Sequence, residues 1–233
     1  MKSIIIIPTL NELKNLKRLI TKIFSIYDYD VLIIDDDSKD GSIDVLKKLK
    51  KKYKNLKYII RKKKRGIGSA HLDGILYAYK KKYQICVTLD ADGTHDPYDI
   101  KKIINIINKK KKDVINTTRF QKKNSLIKWP YFRKVLTLFR YLLVKQILSL
   151  SFDSSSGFRC YNLKRIKIKY FKMVRNKNYF FLIEIIYILH KYKYKIFDVP
   201  VKLKFRKQGL SNMKLYHIFE SLIDLIMLRF RNI

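Results

Sequence analysis

Two aspartates separated by one residue, in Asp90-Ala91-Asp92, are the sharpest chemical feature of this 233-residue chain. In an extended segment, residues i and i+2 point to the same side, about two rises of ~3.3 Å apart. Carboxylates so placed can share a hard divalent ion such as Mg2+ or Mn2+. Alternatively, one can take the metal and the other a sugar or ribose hydroxyl. A metal with open coordination positions binds a diphosphate and stabilises it as a leaving group. The triplet also occurs by chance and as a helix cap, so its weight comes from its position. It closes an apolar run at residues 84–89, and a second acidic cluster, Asp35-Asp36-Asp37, closes another at residues 30–34.

The elements that must position these acids follow from the apolar pattern. Short apolar runs at residues 2–7, 30–34, 56–60, 84–89 and 114–117 read as buried parallel strands. Helical spacing covers residues 11–26, 40–53 and 69–82, and Pro97 opens a further helix. Strand alternating with helix over residues 1–120 predicts an α/β fold, a parallel sheet with right-handed crossovers. Ligands of such sheets bind beyond the carboxyl ends of the strands. Four of those ends carry polar groups: Pro8-Thr9-Leu10-Asn11-Glu12, Asp35 to Asp37, Asp90 to Asp92, and Arg119. The remainder is less regular. Helices are expected at residues 130–150, 179–192 and 214–229, with a strand at 195–205.

Other chemistries find no support. No G-x-G-x-x-G follows the first strand, and Gly66-Ile67-Gly68 alone reads as a turn before a helix. There is no P-loop, zinc spacing or Ser/His/Asp elbow. Cys86 and Cys160 are far apart and read as reduced core thiols, which predicts a cytosolic compartment. Residues 1–10 are too short an apolar run for a signal peptide, and no stretch reaches the ~18 apolar residues of a spanning helix. Membrane contact is therefore expected to be peripheral. The net charge of +34 has two readings. It is either attraction to an anionic membrane or nucleic acid, or drift towards Lys, Ile, Tyr, Phe and Asn, residues with AT-rich codons. A nucleic-acid partner would leave acids at two strand ends unexplained, since carboxylates repel phosphates unless a metal intervenes.

The residues Ile7-Pro8-Thr9-Leu10-Asn11-Glu12, Asp35-Asp36-Asp37-Ser38-Lys39-Asp40-Gly41-Ser42 and Asp90-Ala91-Asp92 resemble family 2 glycosyltransferases with a GT-A fold. Thr118-Arg119-Phe120, Ser156-Gly157-Phe158-Arg159 with Tyr161, and Arg206 with Gly209 and Ser211 resemble the dolichyl- or polyprenyl-phosphate mannosyltransferase branch. The likeness spans residues 3–213, with the motifs in order. It implies one domain over 1–233: a nucleotide-sugar half (1–120), an acceptor-side half (121–213) and a terminal amphipathic helix (214–233). It implies that Pro8, Leu10, Glu12, Ile34 and Asp36 hold the base and ribose. Asp90, Ala91 and Asp92 would meet the metal and sugar diphosphate, and Arg119 and Arg133 phosphate groups, while Arg206 closes over the donor. Arg suits bidentate phosphate recognition, although a solvated helix face is an equally good reading of Arg133. Two positions depart from the branch. Gly93-Thr94 follows the acids, so His95 or water would complete the metal shell. Asn212 stands where a Lys is common, so donor identity does not carry over.

The resemblance implies inverting transfer from a nucleotide-sugar donor, GDP-mannose in this branch, to a lipid phosphate acceptor. A phosphate monoester is largely ionised at neutral pH, with a second pKa of about 6, and needs no strong base. A saccharide acceptor with a UDP-sugar donor is the alternative; it would need a carboxylate base, for which Asp153 and Glu184 are available. A lipid acceptor requires a surface device. The helix at 130–150, with Phe132, Phe139 and Leu143 beside Arg133, Lys134, Arg140 and Lys145, and the terminal helix both suit the cytoplasmic face of an anionic membrane. Packing on the sheet, or on a membrane partner subunit, is the competing role.

Overall fold

The computed structural model describes residues 1–63, 66–122, 124–205 and 215–232, with side chains of the last segment described from residue 220. Arg206, Gly209, Ser211 and Asn212 lie outside the described residues.

Five parallel strands form as the apolar runs predict: β1 (Ser3–Thr9), β2 (Asp30–Asp35), β3 (Leu56–Ile60), β4 (Ile85–Thr88) and β5 (Val114–Thr118). Between them run α1 (Leu13–Ile26), α2 (Ser42–Lys52), α3 (Ile67–Lys80) and α4 (Asp99–Lys109). β1 is buried on both faces, and its period of two splits the core. Ile4 and Ile6 pack towards one helical layer with Ala70, Ile75 and Ile185. Ile5 and Ile7 pack towards the other with Leu16, Ile20 and Ile103. The result is a three-layer α/β/α arrangement. Gly74 of α3 is required by this packing, because a Cβ there would collide with the Ile6 side chain.

The irregular second half completes the sheet. A short β6 (Leu126–Ile127) is followed by α5 (Tyr131–Leu148), β7 (Arg159–Asn162), α6 (Ile168–Lys172), α7 (Phe181–Lys191), β8 (Ile196–Pro200), β9 (Leu203–Lys204) and α8 (Leu215–Phe230). The sheet order is β3-β2-β1-β4-β7-β5-β8. β7 is antiparallel to both neighbours, with Arg159 opposite Thr88 on one side and Asn116 on the other. The sheet is therefore mostly parallel. The single strand expected at 195–205 is two: β8 extends the main sheet and β9 pairs with β6. Both cysteines are buried and reduced, and burial pushes their thiols up.

No described helix is long and apolar enough to cross a membrane. α5 buries only its Val144 and Leu148 side chains fully. Leu143 and Ile147 pack partly on the core, while Phe132 is 70% and Phe139 58% exposed, with Tyr131, Val135, Leu136, Leu138 and Leu142 also exposed. α8 packs against α5 and exposes Ile223, Ile226, Met227 and Phe230.

Candidate active site

The acidic edge combines local hydrogen bonds with ties between loops. Asp35 ends β2 and accepts from the Ser38 backbone N–H (2.8 Å) and hydroxyl (2.7 Å). Asp40 accepts from the N–H groups of Leu13 (2.8 Å) and Ser42 (3.0 Å), so one carboxylate holds the starts of α1 and α2. Asn11, in the left-handed region at φ 55°, ties the first strand end to this loop through Ser38 and Lys39. Asp36 is buried, 2.8 Å from the Arg61 guanidinium and 3.0 Å from the Gly66 N–H. Two of the three consecutive acids are thus engaged in holding loops, and Asp37 pairs with Lys39 at the surface.

Asp90 and Asp92 follow β4. Thr94 donates its N–H (3.0 Å) and hydroxyl (2.8 Å) to Asp92 Oδ1, fixing that carboxylate. Thr94 thus acts as a hydrogen-bond donor to the acid. Asp92 Oδ2 accepts no hydrogen bond among the described residues. His95 faces Asp90, with Nε2 3.5 Å from Oδ2. Burial opposes ionisation of Asp90, but the charges and contacts of His95, His71 and Arg119 outweigh it and hold its carboxyl below the usual range. Gly157, just before β7, lies against the same carboxylate. An added Cβ would stand 2.6 Å from Asp90 Oδ2. Thr88 fixes this approach by donating to the Gly157 carbonyl at 2.7 Å. Small hard cations use one or two carboxylates and leave the remaining positions to water and substrate phosphates. Asp90 and Asp92, one residue apart just after β4, are hard carboxylate donors, and Asp92 accepts from Thr94 through Oδ1 alone, so the pair fits such an open site.

Arg119 closes the other side. It donates its backbone N–H (3.1 Å) and Nε (2.8 Å) to Asp153 Oδ2, and Nη2 to Oδ1 (3.1 Å). Asp153 is 1% exposed; burial disfavours its charge, yet Arg119 and Arg140 hold its pKa low. An acid so neutralised is a poor general base. Glu184 is likewise removed from that role. It accepts from the N–H groups of Arg175 and Asn176 and pairs with Arg231 at 2.5 Å, on the helical layer behind the sheet. Arg159 is fully buried and bonded to Asn116 Oδ1 (2.9 Å) and the Ser154 carbonyl (2.6 Å).

The strand order places Pro8, Leu10, Glu12, Ile34, Asp36, Asp90, Ala91, Asp92 and Arg119 along one edge. Their side chains differ in access. Ile34 is fully buried in the core, and Pro8 is buried in β1. Glu12 is at the start of α1, bonded to Asn15 at 2.9 Å. Arg133 is exposed over the Phe205 ring, 5.4 Å from its centroid, and no described ion pair or hydrogen bond links it to Asp90 or Asp92. From the sequence, Arg61 and Ser155 have no assigned role, Arg140 reads as a membrane-facing helix cation, and Thr94 reads as a weak point of the metal shell. Of these, Thr94 carried a local signal, as a hydroxyl two residues after an acid.

The model of the glycosyl transferase family 2 matches residues 4–178. The chain belongs to this family. Among its family 2 relatives is an undecaprenyl-phosphate mannosyltransferase of Micrococcus luteus, 25% identical over 91% of this chain and 88% of that protein. A UDP-N-acetylglucosamine–dolichyl-phosphate N-acetylglucosaminyltransferase of Methanococcus voltae is 30% identical over 89% and 87%. A dolichol-phosphate mannosyltransferase of Pyrococcus furiosus is 31% identical over 95% of this chain and 62% of its own length. In fold, this family 2 glycosyltransferase is similar to glucosyl-3-phosphoglycerate synthase of Mycobacterium tuberculosis, solved with Mn2+ and UDP. The TM-score is 0.68 at 14% identity, covering 98% of this chain and 79% of that one.

Proposed function

We propose that this glycosyltransferase moves a hexose, mannose from GDP-mannose, onto a polyprenyl or dolichyl phosphate at the cytoplasmic face of a membrane. The observation that carries the reading is the Asp90–Asp92 pair just after β4, with Gly157 set against the Asp90 carboxylate. The three relatives share a lipid-phosphate acceptor in their names, while two name mannose and one N-acetylglucosamine, which supports the acceptor more strongly than the donor.

In this reaction an acceptor phosphate oxygen attacks C1 of the sugar from the face opposite the leaving group. The new C1–O bond forms as the bond from C1 to the diphosphate breaks, the nucleoside diphosphate leaves, and the configuration inverts. The acceptor is already ionised, which suits a site whose Asp153 and Glu184 are both engaged elsewhere. A bound Mg2+ or Mn2+ would neutralise the leaving diphosphate. Asp90 and Asp92 would hold that ion, Pro8, Leu10, Glu12, Ile34 and Asp36 would shape the nucleotide end, and Arg119, Arg133 and Arg206 would supply cations to the phosphates. The exposed apolar faces of α5 and α8 would rest on the anionic surface, where each cation near the lipid adds about 1 kcal/mol.

The test is transfer of label from GDP-mannose, UDP-glucose or UDP-GlcNAc into membrane lipid, with and without Mg2+ or Mn2+. The reading predicts lipid-extractable label from GDP-mannose that needs the metal. Lipid label from UDP-GlcNAc alone would keep the acceptor and replace the donor. Binding to anionic liposomes at low salt, partly reversed at high salt, is the companion result; donor binding without liposome binding would point to a membrane partner subunit.

A further inference from the structure

The charges beside Arg119 do not cancel. Asp153 is engaged on both oxygens by Arg119. A second guanidinium, Arg140 of α5, reaches the same cluster and donates Nη2 to Ser155 Oγ at 2.7 Å. That oxygen also accepts from Arg119 Nη2 at 2.8 Å and lies 3.2 Å from Asp153 Oδ1, to which it donates. Two guanidiniums therefore face one carboxylate. Arg140 has no carboxylate of its own among the described residues, and its hydrogen bond to Ser155 leaves further N–H donors of the planar fork uncommitted. Burial and the Arg119 charge push its pKa down to about 10 against the pull of Asp153, as expected for a cation short of a counter-ion. Around Arg140 on α5, Leu136, Phe139 and Leu142 are 41%, 58% and 50% exposed. A partly buried cationic fork and an uncovered apolar helix face thus lie side by side. Together they suit a molecule with a phosphate head and a long apolar tail.

We propose that Arg140 and Ser155 seat the phosphate of the lipid acceptor while the exposed face of α5 carries the first part of its chain. The proposal rests on the lipid-phosphate reading above. It moves the decisive cation from Arg119, which Asp153 neutralises, to a residue that the sequence presents as a helix-surface charge. The phosphates of the nucleotide donor are the other source of the same chemistry, and kinetics separates the two.

Steady-state transfer is measured with a purified short-chain polyprenyl phosphate as the varied acceptor and saturating donor, then with the roles reversed. Arg140→Gln is expected to raise the acceptor KM by about tenfold or more, the loss of a charged hydrogen bond, with donor KM within about twofold. Arg140→Lys keeps the charge and loses the fork, and is expected to lie between. The thermal midpoints report folding, and if Arg140→Gln does not fold, Arg140→Lys carries the test through its own rise in acceptor KM. Phe139→Ser should raise KM for the prenyl phosphate while leaving inhibition by inorganic phosphate unchanged. Unchanged acceptor KM in a folded Arg140 variant overturns the proposal, and a rise in donor KM instead assigns the seat to the donor. Wild-type protein that labels no lipid phosphate with any donor overturns the underlying reading and the proposal with it.

Discussion

At the ends of β2 and β4, Asp35 and Asp92 are held by hydroxyl and N–H groups two or three residues away, from Ser38 and Thr94. At the ends of β5 and β7 the charged groups meet partners from far along the chain: Arg119 meets Asp153 34 positions away, and Arg159 meets Asn116 43 positions away. Local hydrogen bonds fix a carboxylate without cancelling its charge, so the first region stays anionic and suits a cation. Ion pairing cancels charge, and with Arg140 added the second region ends with a positive surplus that suits an anion. On the first side Asp36 is ion-paired with Arg61 and Asp37 with Lys39, which leaves Asp35 and Asp92 without a cationic partner among the described residues. One sheet edge thus presents opposite fields, meeting where β4 and β7 are neighbours, which suits the proposed reaction between a metal-bound diphosphate and a phosphate nucleophile.

The comparison can be broken hardest at Asp153. Asp153→Ala leaves Arg119 buried without its carboxylate and is expected to cost about 3–5 kcal/mol of stability, read by denaturant unfolding. A loss below 1 kcal/mol would mean that the pair is not the keystone of that side. On the anionic side the contrast predicts the reverse pattern. Asp92→Asn should leave unfolding within about 1 kcal/mol of wild type, since the amide oxygen can still accept from Thr94, yet lower transfer by about 10²–10³-fold, the scale of losing one charge-stabilising group. Activity above a few per cent of wild type with Mg2+ or Mn2+ would remove the pair from metal binding.

A smaller effect probes where the two regions touch. Gly157→Ala places a Cβ against the Asp90 carboxylate and should cost about 1–3 kcal/mol of stability through overpacking. It should also raise the metal concentration needed for half-maximal transfer. Unaltered metal dependence would show that Asp90 has room to move.

The smallest effect is a pH dependence. Burial pushes the Asp198 carboxyl up to about 6, with the Asp153 charge adding to it against the Asn116 hydrogen bond and Arg159. Its folded value exceeds the unfolded value of about 3.9, so the contribution is full below pH 4 and is lost as pH rises through 6. Asp198→Asn should remove this loss, making the variant more stable than wild type by about 1 kcal/mol at pH 7, with the advantage shrinking towards pH 4. An advantage that does not change with pH would assign the effect to packing.

The contrast also explains what could be read from the residues alone. The strand ends, the Asp90–Asp92 pair and the parallel core were legible because each signal is local: an apolar run, a turn and an acid within a dozen residues. β7 was not, because a four-residue strand that starts on a charged residue reads as loop until Asn116 and the Ser154 carbonyl are seen to satisfy Arg159. Glu184 looked available for catalysis because its backbone donors and Arg231 become visible only in three dimensions. The amphipathic character of α5 was legible, but not which of its sides would stay uncovered. Leu143 turns towards the core while Leu142 stays exposed.

The most direct measurement offers purified protein the same labelled donor with three acceptors: a polyprenyl phosphate, the matching polyprenol without phosphate, and a soluble saccharide. The account predicts metal-dependent label on the polyprenyl phosphate alone, with inverted configuration at C1. Label on the saccharide or the free alcohol, with none on the phosphate, would contradict it.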